Sequence, residues 1–107
     1  MAHLDLDTLY GFLKTLRAAA ENPEVLKALD AFRDEVHTEI DKDGNKYPII
    51  SVRGPWPHVS PGCLVKVGLL RVTRGDVREL LTNLEVAEPT DKMRIAVEEV
   101  RMRLRST

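Results

Sequence analysis

Near the start of the chain Leu6, Leu9, Leu13, Leu16 and Ala20 fall on one stripe, with Tyr10 and Phe12 on its edges. Gaps of three and four are those of an amphipathic helix, so the pattern predicts a helix over residues 5–21. Asp5 or Asp7 caps it, accepting hydrogen bonds from first-turn amides that have no partner within the helix. Asn22, Pro23 and Glu24 then form a series of N-cap, first helical position and first-turn acid, so a second helix begins at once. Val25, Leu29, Phe32, Val36 and Ile40 make its apolar seam, which lies along the first helix as an antiparallel pair. Its outer face is acidic: Asp30, Asp34, Glu35 and Glu39.

After the break DKDGN, the runs YPIISV (47–52) and CLVKVGLLRVT (63–73) are rich in β-branched residues, and they predict a central β-hairpin. A second reading stays open: Ser60 followed by Pro61 is also a helix start, and period does not distinguish short apolar runs, so residues 61–72 could be helical. TRGDVRELLTNL returns to helix, with Thr73 and Asp76 at capping-box spacing and Val77, Leu80, Leu81 and Leu84 on one face. Pro89 interrupts, and Thr90 caps a last helix running to about residue 105. The fold expected is α+β: an N-terminal antiparallel helical hairpin, a central β-hairpin and two C-terminal helices. With residues 61–72 helical it would be nearly all-α.

No repeat, low-complexity tract or long linker divides the chain, and 107 residues (12.1 kDa) match one core, so residues 1–107 are expected to be a single domain. Hydrophobic residues at 43% and charged ones at 31% exclude a disordered acidic or basic tail. No apolar run reaches the roughly 18–20 residues of a membrane helix, and MAHLDLDTLY lacks the basic-then-apolar pattern of a secretion signal. The lone Cys63 cannot form an intrachain disulfide. A cytoplasmic location, or a place in a particle assembled there, is the expectation.

Net charge is −1, but it is divided unevenly. Residues 1–45 carry ten acidic and five basic groups, a net −5, whereas residues 46–107 carry seven acidic and eleven basic groups, a net +4. Such asymmetry suits either an anionic partner for the second half or contact between copies.

Chemistry is sparsely signalled. Counted from Asp41, an EF-hand loop would find oxygen ligands at Asp41, Asp43 and Asn45. The glycine it needs at position six is Lys46, and the glutamate it needs at position twelve is Val52. The reading is therefore a turn in which Gly44 or Asn45 takes the left-handed conformation, with a weak cation site as the alternative. His3, His37 and His58 lack zinc-ligand spacing, and Cys63 with His58 or His37 has no orienting third group. No phosphate loop, nucleophile elbow or dinucleotide fingerprint is present. No catalytic residue, metal, cofactor or small-molecule substrate is indicated, and the chain is read as not an enzyme.

Two segments point to partners. RGPWPHVSPGC (53–63) holds three prolines and the only tryptophan, Trp56. A stiff loop that presents a large ring is a binding edge, or else Trp56 plugs the hairpin onto the helices. In the last helix Met93, Ala96, Val97, Val100 and Leu104 form one apolar stripe, while Ile95 and Met102 project almost opposite. Arg94, Arg101 and Arg105 fall on a strip between them. The expected function is a non-catalytic protein–protein interaction or assembly subunit of a cellular or viral machine. It would self-associate through Trp56, Ile95 and Met102, with Arg94, Arg101 and Arg105 as charged contacts. The alternative is a nucleic-acid-associated factor in which those arginines meet phosphates.

Overall fold

A computed structural model describes residues 4–50 and 70–106. The elements run α1 (Leu6–Ala19), α2 (Pro23–Glu35), β1 (Val36–Ile40), β2 (Lys46–Ile50), β3 (Leu70–Arg71), α3 (Arg74–Ala87) and α4 (Asp91–Ser106). This is the α+β order read from the sequence.

The helix starts follow the capping residues. Asp5 Oδ1 accepts from the Thr8 N–H at 2.7 Å, and Asn22 Oδ1 accepts from the Glu24 N–H at 2.9 Å with Pro23 just behind it. Thr73 and Asp76 form the reciprocal capping box. Thr90 Oγ1 accepts from the Met93 N–H at 3.2 Å. Each bond satisfies an amide that the helix itself leaves without a partner.

The seam of α2 does not stay helical through Ile40. The helix ends at Glu35, and Val36, at φ −79° and ψ 124°, turns the chain into β1. A spacing of four residues is also two strand repeats, so Val36 and Ile40 satisfy either period. Val36, Thr38 and Ile40 are β-branched, and they gain an antiparallel partner in β2, with Val36 opposite Ile50 and Ile40 opposite Lys46. Ile40, expected in the buried seam, is 60% exposed instead.

The β2–β3 pairing expected from the sequence is present but short, with Ile49 opposite Arg71 and Ile50 opposite Leu70. Leu70 and Arg71 are strand, against the helical alternative at those two positions. Val72 N–H still reaches the Pro48 carbonyl at 3.0 Å, but a proline has no N–H to return, and the ladder stops there. The rest of the 61–72 segment, with Trp56, His58 and Cys63, lies outside the described residues. The sheet order is β1-β2-β3.

One core joins the helices and the sheet. Leu9, Phe12 and Leu16 of α1, Val25, Leu29 and Phe32 of α2, Leu80, Leu81 and Leu84 of α3, and Met93, Val97, Val100 and Leu104 of α4 are all buried. Helix α4 packs against both α1 and α3, which leaves its remaining side to solvent.

Among these apolar groups lies one buried carboxylate, that of Glu88, between α3 and α4. It accepts from the backbone N–H of Glu21 at 2.9 Å, from that of Asn22 at 2.7 Å and from the Thr90 hydroxyl at 3.3 Å. The α3–α4 corner is thereby tied to the α1–α2 corner, and the cost of burying the charge is offset by several donors.

Candidate functional site

The outer face of α4 is laid out by its inner one. Burial of Met93, Ala96, Val97, Val100 and Leu104 fixes the rotation of the helix, and Ile95 and Met102 must then point outward. They are 71% and 59% exposed. Seven residues separate them, two turns or roughly 10 Å along the axis, so they lie one above the other on a single stripe.

The three arginines of the strip differ in their surroundings. Arg94 pairs with Asp91 one turn earlier, both side chains largely exposed. Arg101 pairs with Glu85, which comes from α3, and approaches Glu98 at 4.0 Å. About 70% of the Arg101 and Glu85 side chains is covered, so this pair is screened less by salt than a fully exposed one. Arg105 is exposed and has no ion partner among the described residues. Arg103, on another side, lies over the Phe12 ring at 5.3 Å and donates to Thr15 Oγ1 at 3.4 Å. A continuous band of available positive charge, as the helical projection implied, is therefore reduced mainly to Arg105.

Beside Ile95 runs a shallow groove of about 560 Å³ between α3 and α4, lined by Glu85, Asp91, Arg94, Ile95, Glu98 and Arg101. Its walls carry three carboxylates and two guanidinium groups. An apolar edge next to charges of both signs suits a protein surface better than a polyanion.

The other features of interest in the sequence have local explanations where they are described. Asp41 Oδ1 accepts from the N–H groups of Asp43 and Asn45, each at 2.9 Å, while the Asp41 carbonyl accepts from Gly44 N–H at 3.0 Å. Gly44 sits at φ +83°, a conformation that suits glycine. The bonds from Asn45 and Asp43, together with the nearby Arg71, hold the Asp41 carboxyl below the ordinary aspartate range. The carboxylate that was a ligand candidate is thus occupied in closing the β1–β2 turn. Among the described residues no group of three His, Cys, Asp or Glu is placed to hold a metal ion. His37 is exposed on β1. No helix among the described residues is long and apolar enough to cross a membrane.

Two further apolar side chains reach solvent that the sequence reading did not single out as contacts, Ile40 and Val86. Val86 lies two residues beyond the buried Leu84, on the outer side of α3, and its i+2 offset from the core stripe was the available signal. Trp56, the remaining candidate, lies outside the described residues. No protein-family model matches this chain, and no curated protein and no solved structure matches it significantly.

Proposed function

We propose that this chain is a non-catalytic interaction or assembly subunit, working in the cytoplasm or in a particle assembled there, that associates with copies of itself through the outer face of α4. The observation that carries this reading is the exposure of Ile95 and Met102 on a helix whose opposite face is fully buried. A helix needs one apolar side to pack, and a second one costs solubility unless something covers it.

The affinity expected is modest. Fully burying an exposed side chain of this size contributes about 1.5–3 kcal/mol, and two such side chains from each copy must offset an association cost of about 4–15 kcal/mol. The dissociation constant should be roughly micromolar or weaker. Nucleic-acid binding is the competing reading, and it has less support, because Arg94 and Arg101 already face carboxylates. Phosphates would have to displace them.

Sedimentation velocity over a wide concentration range, with and without a mixed-sequence DNA or RNA, separates the two. Mass that grows with protein concentration alone supports self-association. A monomer that shifts only with nucleic acid, and less so as salt rises, favours the competing reading.

A further inference from the structure

We infer that two copies meet by laying α4 against α4 in antiparallel orientation, with Ile95 of each against Met102 of the partner subunit and Asp91 of each beside Arg105 of the partner subunit. The inference rests on the self-association reading and specifies its geometry. Around α4, at 100° per residue, Ile95 and Met102 form the centre of the outer stripe, and Asp91, Glu98 and Arg105 run down one flank at seven-residue intervals. A twofold axis crossing the helix near Glu98 brings the first apolar residue of one copy to the second of the other. The same operation brings the first residue of the flank to the last, so Asp91 faces the partner's Arg105 at both ends of the contact. In antiparallel pairs it is the same flank of each helix that meets.

The charges favour this occupant over others. Arg105 has no ion partner among the described residues, and Asp91 is 84% exposed at the mouth of the groove beside Ile95. The Asp91 pair with Arg94 is a surface pair that opens at little cost. A parallel arrangement would set the flank that carries Asp91 and Arg105 against the partner's opposite flank, so that these two residues would not meet, and it would align the helix dipoles unfavourably. A head-to-tail contact between α4 and the acidic side of α2 would leave both surfaces repeatable and build chains or rings rather than a closed dimer. Glu98 of the two copies approaches at the axis, where its own Arg101 at 4.0 Å moderates the repulsion. Glu99, also near the axis, has no such partner among the described residues, and this weakens the dimer.

The test is charge reversal at the paired positions, followed by sedimentation equilibrium on the full chain. Asp91→Arg and Arg105→Asp each place like charges together at both ends of the contact and should weaken dimerisation about ten-fold, two surface pairs being affected at once. The double variant D91R/R105D restores opposite charges and should recover the dimer to near its original strength. Both positions are exposed, and circular dichroism with thermal melting shows whether each variant is folded. A dimer indifferent to the single reversals, or a double variant weaker than either single one, overturns this arrangement while leaving self-association standing. Species larger than a dimer overturn it in favour of head-to-tail contact. A wild-type chain that stays monomeric at every concentration overturns both the arrangement and the reading it rests on.

Discussion

Glu88 accepts a 2.7 Å hydrogen bond from the backbone N–H of Asn22, 66 residues away in the chain, and the same carboxylate takes the N–H of Glu21. Asn22 is itself the N-cap of α2. One side chain from the α3–α4 corner therefore fixes the point where the chain leaves α1 and enters α2. Without it two amides at that corner would lose their acceptor where the surroundings are partly buried.

Glu88→Ala should destabilise the fold by about 2–3 kcal/mol, the usual loss when charged hydrogen bonds to buried donors are removed. Glu88→Gln should cost less, since one amide oxygen can still accept from Asn22. Denaturant unfolding of the three proteins checks the order. An alanine variant as stable as the parent would show that the corner is held by apolar packing alone.

The β1–β2 turn should weaken in acid. The folded-state carboxyl of Asp41 is held below the ordinary aspartate range, chiefly by the Asn45 N–H. Its contribution is therefore present above the unfolded-state value and is lost as pH falls through the lower folded-state value. Asp41→Asn removes that contribution at neutral pH and leaves less to lose in acid. The melting curves of the two proteins should differ most near pH 7 and converge by roughly pH 2. A constant difference across that range would contradict the assignment.

Glu35 has the opposite sign. Burial raises its carboxyl above the ordinary glutamate value, and its Oε2 is enclosed without a hydrogen-bond partner among the described residues. The ionised form is disfavoured in the fold, so the penalty is fully developed above the raised folded-state value and disappears below the unfolded one. Glu35→Gln should raise the thermal midpoint at pH 7 and leave it unchanged near pH 3.5. A fall at pH 7 would mean that the charge is needed where it stands.

The helices were legible in the sequence because their starts are local. Asp5, Asn22, Thr73 and Thr90 each act within three residues of their own position, and a capping bond needs nothing from the rest of the chain. Strand β1 was concealed by arithmetic: Phe32, Val36 and Ile40 keep a spacing of four that helix and strand share, and the decision belongs to β2, which pairs with it. The Asp43–Gly44 dipeptide was the overlooked signal for that hairpin. Glu88 left no trace, since its donors come from a distant segment and no spacing records them. At the candidate site the outward direction of Ile95 and Met102 was readable from one helix alone. The division among the arginines was not, because Glu85 reaches Arg101 from α3, and a projection of α4 contains no α3.

The central claim is that the outer stripe of α4 is covered by another copy of the chain. Methyl resonances of Ile95 and Met102 report on it directly when followed by NMR from low micromolar to millimolar protein. The account predicts that both methyls shift or broaden together as concentration rises, along one binding curve, while methyls of buried residues such as Leu9 and Leu80 stay in place. Methyl signals of Ile95 and Met102 that do not move over that range, whatever the mass of the particle, would contradict it.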